Sequence, residues 1–241
     1  MMTQSSQRSP LFTLVPGYRL LLASASPRRR QFLSEWGLPF ELARPDGAEP
    51  LPERGENPDA YTRRAATAKA HAVAAGLYST SATDATLLHS KTIILAADTV
   101  VTVDGDILGK PNDSCHALKM LQRLTGRGHE VISAVCLLLP SPAGTASVDE
   151  AGRPVNLEEL VFSDVSRVFF HPWPEDVLRA YVDTGEPHDK AGAYAIQGQG
   201  AFLVDKIEGS WSTVVGLPVT QLAHLLLNRG FMQPCTPHAP F

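Results

Sequence analysis

The chain has 241 residues, 44% of them hydrophobic and 19% charged, and a net charge of −4. This composition is typical of a soluble globular protein with a full α/β core, and the acidic balance argues against a protein that binds duplex nucleic acid. Cys115, Cys136 and Cys235 share no CxxC spacing, which favours reduced cytoplasmic thiols over a disulfide framework or a zinc site. No apolar stretch reaches the length of a membrane span.

The first predicted strand and helix adjoin at a run of basic residues. Leu20–Ala23 is an apolar run that predicts a buried strand, and Pro27 suits the first position of the following helix. Arg28, Arg29 and Arg30 then occupy the first turn, where the positive end of the helix dipole disfavours cations. An anion bound between these arginines and the backbone N–H groups would explain them, and phosphate is the natural candidate. A solvated basic turn is the alternative.

A second helix is predicted over residues 58–76. Its apolar face is expected to consist of Tyr61, Ala65, Ala68, Ala72 and Val73. Lys69 lies on this helix among many alanines, and the local pattern predicts a solvated lysine.

The apolar run Thr92–Val103 predicts a buried strand that contains one carboxylate, Asp98. A buried carboxylate requires a cation, a metal or a proton. Asp104-Gly105 predicts a hairpin turn that returns Lys110 towards Asp98. Two interpretations follow: a structural Asp98–Lys110 ion pair, or a catalytic base or metal ligand beside a lysine that binds phosphate.

The rest of the chain is predicted to alternate between strands and helices, with one glycine-rich segment. That segment, residues 186–200, has no regular period, which is typical of a functional or mobile loop. Without internal repeats or a clear linker, residues 18–230 are expected to form one domain of two lobes. Residues 1–17 and 231–241 are expected to be loosely ordered tails, and residues 77–90 and 140–157 surface insertions.

Several of these segments together resemble the Maf family of nucleoside-triphosphate pyrophosphatases. The motifs are SASPRRR (24–30), LAADTVVTVDGDILGKP (95–111), GRGHEV (126–131), TGEPHDKAGAYAIQGQGA (184–201) and IEGSWSTVVGLPV (207–219). The resemblance implies an elongated α/β fold, with a mixed sheet flanked by helices and two lobes around a central cleft. It also implies cleavage between the α- and β-phosphates with Mg²⁺ or Mn²⁺, a house-cleaning role in the cytoplasm, and a homodimer.

The resemblance also implies roles for individual residues. Asp98 matches the family's proton acceptor, and with Glu49 it would bind the metal. Positions tied to substrate choice fall on Arg28, Thr99 and Gln197. Other polar positions of the family's active site fall on Ser24, Arg29, Glu49, Lys69, Lys110 and Lys190. The cations among them would neutralise a triphosphate.

The DKAGAYAIQG form is similar to the subgroup that acts on dTTP and UTP. The amide of Gln197 offers both a donor and an acceptor, which can match the pairing edge of uracil or thymine at two points. Two alternatives stay open. One is the same chemistry on 7-methyl-GTP or other modified nucleotides, and the other is a nucleotide-binding regulator of cell division.

Overall fold

The structure is a computed structural model that describes residues 9–45, 47, 50–78, 91–140, 147–148, 154–155 and 157–235. Its helices are α1 (Pro27–Glu35), α2 (Pro58–Tyr78), α3 (Ser114–Leu124), α4 (Glu175–Asp183), α5 (Trp211–Val215) and α6 (Val219–Asn228). Short 3-10 turns span Glu186–Asp189, Ala191–Ala193 and Gln199–Leu203. No helix in the described part of the chain is long and apolar enough to cross a membrane.

The strands are β1 (Phe12–Leu14), β2 (Arg19–Ala23), β3 (Glu41–Leu42), β4 (Thr92–Val103), β5 (Asp106–Leu108), β6 (Gly128–Pro140), β7 (Ser147–Val148), β8 (Pro154–Val155), β9 (Leu157–Phe170), β10 (Val204–Glu208) and β11 (Met232–Pro234). A mixed sheet of order β10-β9-β6-β4-β2-β3 forms the centre, and β5 pairs with β4. β2 is parallel to both β3 and β4, whereas the pairs β4–β6, β6–β9 and β9–β10 are antiparallel.

The apolar residues of β2 and β4 alternate between two faces, as the two-residue period of a strand requires. On one face Leu22 and Leu95 pack with α1 and α6. On the other face Ile94 and Ala96 pack with Ala66 and other small side chains of α2, which lets that helix approach the sheet closely. Each fully buried leucine contributes about 1.5–3 kcal/mol to folding.

A second core gathers around the far ends of the same central strands. Val101 and Val103 of β4 pack there with Val131 of β6 and with leucines of α3 and α4. The fold therefore has two lobes that share β4 and β6, which confirms the predicted mixed α/β fold with a central cleft.

The predicted bounds of the strand over Thr92–Val103 agree with β4. The prediction of a loose tail through residue 17 differs from the structure, since β1 pairs antiparallel with β11. Phe12 packs edge-to-face on Trp36, with ring centroids 5.6 Å apart, and Leu14 is buried in the first core. These contacts attach β1 and β11 to the domain. In the insertion predicted over 140–157, the described residues include the small β7–β8 pair.

Candidate active site

A cleft of about 460 Å³ lies where the first turn of α1, the middle of β4 and the glycine-rich segment meet. Of the predicted site residues, those that line it are Ser24, Arg28, Arg29, Lys69, Asp98, Thr99 and Lys110. Pro27, at the first position of α1, also lines it, so the positive end of the helix dipole faces the cleft. Because cationic side chains outnumber the two lining carboxylates, the cleft suits a polyanion.

Asp98 forms an ion pair with Lys69 of α2. The Nζ of Lys69 lies 2.5 Å from Oδ1 of Asp98, and their side chains are 18% and 9% exposed. On β4, Asp98 shares its face with Ala96 and Val100, and α2 covers this face. The expectation of a solvated Lys69 is therefore wrong: α2 turns this lysine towards the sheet, where it neutralises a buried carboxylate.

Arg29 is 8% exposed, and the protein itself holds its guanidinium group. Its Nε donates to the Gly216 carbonyl at 2.8 Å and its Nη1 to the Ala97 carbonyl at 2.8 Å. Nη1 also donates to Ser24 Oγ at 3.1 Å, and Nη2 donates to Thr99 Oγ1 at 2.9 Å. Arg29 thus joins α1, β4 and the end of α5 at the back of the cleft. The forked contacts expected with phosphate are made here with protein oxygens.

Arg28, by contrast, is half-buried and lies at the front of the cleft near Asp189. The pKa of Asp189 is below its usual range, chiefly because the adjacent Lys190 donates to its carboxylate, with the charge of Arg28 adding to the effect. Lys190 is not among the residues that line the cleft and reaches it only through Asp189. Gln197 is half-buried and follows Ile196, which does line the cleft.

Tyr194 lines the cleft and was not singled out from the sequence. Its hydroxyl lies 2.8 Å from Nε2 of His129, and both residues are buried. Phe170 packs edge-to-face on both rings. Burial, together with the nearby charge of Arg127, lowers the pKa of His129 to about 4. His129 is therefore a neutral side chain of the core that supports the tyrosine, in agreement with the scattered placement of the histidines in the sequence.

Within the described ranges, no three His, Cys, Asp or Glu side chains converge on a metal position. Mg²⁺ in nucleotide sites is, however, usually held by one or two carboxylates together with substrate phosphates and waters. Asp98 faces the cleft and fits that donor set. The other predicted ligand, Glu49, lies outside the described residues.

Comparison with known proteins agrees with this arrangement. The family model of Maf-like proteins matches residues 19–229. A dTTP/UTP pyrophosphatase of Nitratidesulfovibrio vulgaris is 51% identical over 211 residues, which cover 88% of each chain. A relative of the same name in Oleidesulfovibrio alaskensis is 46% identical, over 89% of this chain and 87% of its own. Another in Lawsonia intracellularis is 41% identical, over 95% of this chain and 90% of its own. The resemblance inferred from the motifs is confirmed, and the chain belongs to the family of Maf-like proteins.

Proposed function

We propose that the protein hydrolyses dTTP and UTP to the nucleoside monophosphate and pyrophosphate. The observation that carries this proposal is a buried carboxylate, Asp98, in a cleft whose other charged groups are mainly cations. The relatives named dTTP/UTP pyrophosphatase support the choice of nucleotide. A pure nucleotide sensor would gain nothing from a buried carboxylate beside the phosphates, so this arrangement favours turnover over regulation alone.

In the proposed reaction, water attacks the α-phosphorus. The bond from this phosphorus to the oxygen that bridges the α- and β-phosphates breaks, and pyrophosphate is the leaving group. Asp98 either accepts the proton of the water or helps to hold the cation, and Lys69 fixes the position of its carboxylate. Arg28 and Lys110, which both line the cleft, would bind the phosphates. Arg29 would hold the first turn of α1 in place. The positive end of this helix then faces the negative charge that develops on the phosphates during the reaction.

We propose Mg²⁺ or Mn²⁺ as the cofactor, held by Asp98, by Glu49 and by the substrate's own phosphates. When bound, the cation would neutralise phosphate charge and polarise the phosphoryl oxygens. We further propose that residues 18–230, with β1 and β11 packed on them, act as one domain, that the protein forms a homodimer, and that it works in the reducing cytoplasm, where its three free cysteines are stable.

The decisive experiment measures pyrophosphate release from a panel of nucleoside triphosphates, with and without a chelator. We expect UTP and dTTP to be preferred over CTP, GTP and 7-methyl-GTP, and chelation to abolish turnover while the melting temperature stays the same. Preference for a purine nucleotide would overturn the pyrimidine assignment. Release of single phosphate would overturn the pyrophosphatase itself.

Gln197→Ala tests how the base is chosen. Loss of the amide should lower kcat/KM for UTP and dTTP and reduce their advantage over CTP, because a polar site rejects a base that leaves its buried groups unpaired. Gln199→Ala is the matched control, since this exposed side chain lies on the same segment and its backbone N–H is retained. Equal effects of the two substitutions would remove Gln197 from the specificity site.

A further inference from the structure

A carboxylate outside the cleft accepts hydrogen bonds from the backbone of the glycine-rich segment that carries Gln197. Glu186 does not line the cleft. Its Oε1 accepts a hydrogen bond from the backbone N–H of Gln199 at 3.1 Å, and its Oε2 accepts one from the N–H of Gly200 at 2.8 Å. One side chain thus binds the backbone N–H groups of Gln199 and Gly200, the second and third residues after Gln197.

The backbone around this carboxylate is shaped to admit it. Gly198 has a φ of 101°, which L side chains rarely adopt, and a Cβ at this position would collide with Oε1 of Glu186. A Cβ on Gly200 would lie 2.5 Å from the Tyr181 hydroxyl and 2.6 Å from the Ala195 carbonyl. Neither glycine can be replaced without moving the segment away from Glu186 or Tyr181.

Tyr181 completes the attachment. Its buried hydroxyl accepts a hydrogen bond from the N–H of Ala195 at 3.3 Å. Its pKa is raised above the usual value by burial and by a hydrogen bond with Glu186. The phenol therefore links the residue before Ile196 with the carboxylate that holds the residues after Gln197. Tyr181 and Glu186 together accept hydrogen bonds from the backbone at both ends of the short stretch 195–200.

We infer that Glu186 is a positioning residue that determines base selectivity by fixing where Gln197 stands. The inference rests on the proposed function, because it assumes that Gln197 selects the base. A carboxylate is suited to this task because its two oxygens accept from two successive N–H groups and carry full charge, which strengthens both hydrogen bonds. The amide of glutamine has one acceptor oxygen and would place an N–H donor against the other peptide N–H.

The test is Glu186→Gln, alone and combined with Gln197→Ala. We expect the ratio of kcat/KM for UTP over CTP to fall about fivefold or more, through KM more than kcat. In the Gln197→Ala background the same substitution should change the ratio by less than about twofold, because the residue through which it acts is gone. Glu186→Asp should restore part of the ratio. Glu175→Gln, an exposed carboxylate paired with Arg179, should leave the ratio unchanged.

An equal loss of selectivity in both backgrounds would overturn the inference, and so would an unchanged ratio in folded Glu186→Gln. If that variant does not fold, Tyr181→Phe keeps the buried ring, removes the hydroxyl beside Glu186, and should lower the ratio in the same direction. A Tyr181→Phe ratio equal to that of the unmodified protein would then overturn it.

A second readout does not depend on the reaction. In the nucleotide-free protein, the amide signals of Gln199 and Gly200 in a ¹⁵N spectrum should move to higher field in Glu186→Gln, as expected when a charged acceptor is lost. Unmoved signals would overturn the inference even if UTP proved to be the preferred substrate. Moved signals in a protein that prefers a purine nucleotide would overturn the proposed function and leave the attachment of the segment standing.

Discussion

The hydroxyl oxygen of Thr99 lies 2.8 Å from that of Ser133, its partner in the register between β4 and β6. Ser133 is fully buried and donates its only hydroxyl hydrogen to the Thr213 carbonyl at 2.7 Å. Thr99 therefore accepts from Arg29 at 2.9 Å and donates to Ser133, the nearer of its two acceptors, since the Gly216 carbonyl lies 3.4 Å away. Because its one hydrogen is engaged within the protein, Thr99 can offer a bound nucleotide only an acceptor.

This direction predicts the effect of Ser133→Ala. The substitution leaves the Thr213 carbonyl without this donor and Thr99 without its nearer acceptor, so the free energy of unfolding should fall by about 1–3 kcal/mol. The hydroxyl of Thr99 can then turn to the Gly216 carbonyl, and KM for UTP should rise.

Ser166→Ala is the control for Ser133→Ala. Ser166 is equally buried and its hydroxyl exchanges hydrogen bonds with the backbone of Ser210, away from Thr99. Urea unfolding should show similar losses for both variants, whereas only Ser133→Ala should alter KM. A change in KM for both would mean that general loosening explains the effect.

Asp98→Asn should lower kcat for UTP by about two orders of magnitude or more, because an amide can neither accept the proton of water nor bind a cation strongly. The fold should be retained, since the amide has nearly the same shape. Pyrophosphate release and thermal melting measure the two effects. Asp104→Asn, an exposed carboxylate paired with Arg127, is the control and should be fully active. Near-normal turnover of folded Asp98→Asn would rule out both proposed roles of this carboxylate.

The arginines of α1 should respond differently to replacement by lysine. Arg29→Lys should destabilise the protein by about 1–3 kcal/mol, since the donors of an ammonium group all sit on one nitrogen and cannot reach the oxygens of Gly216, Ala97 and Thr99 as the guanidinium fork does. Arg28→Lys should leave the melting temperature within a few degrees and mainly raise KM. Equal stability of the two variants would show that the guanidinium of Arg29 does not hold α1 in place.

Stability should depend on His129 at mildly acidic pH. Its pKa in the folded protein is about 4, so between the ordinary value near 6.5 and that value the unfolded chain binds more protons. The contribution of the neutral His129 to the free energy of unfolding should therefore be fully present above pH 6.5. It should fall by up to about 3 kcal/mol as the pH drops towards 4. Urea unfolding across this range should show a shallower fall in His129→Phe. Parallel curves for the two proteins would contradict a buried neutral imidazole.

The sequence predicts local features of this protein well. β4 has the predicted bounds, and Pro27 begins α1. Asp113, a residue type that favours helix N-caps, accepts from the His116 N–H at 2.7 Å at the start of α3. Such features depend on residues close together in the chain. By contrast, α5 was not predicted, because WSTVV is short and rich in β-branched residues that favour strands.

Features that depend on distant residues were beyond the local pattern. In an alanine-rich helix the apolar face is ambiguous: Ala68, assigned to it from the sequence, is exposed, whereas Ala66 and Ala70 are buried. Tyr61, Ala65 and Val73 are buried as predicted, and between them Lys69, not Ala68, turns towards Asp98. Arg28 and Arg29 are likewise indistinguishable in sequence. Arg29 is distinguished by its bonds to the Ala97 and Gly216 carbonyls, which come from distant parts of the chain.

The two central strands run without interruption from one core into the other. β4 contributes Ile93 to the first and Val103 to the second, and β6 contributes Leu137 and Val131 in the same way. A pair of continuous, hydrogen-bonded strands provides no hinge, so the lobes cannot swing together on a substrate as the domains of many kinases do. Selection among nucleotides must then come from a preformed cleft and from small adjustments of the glycine-rich segment that lines it. Such a protein should give the same scattering profile with and without a bound nucleotide analogue.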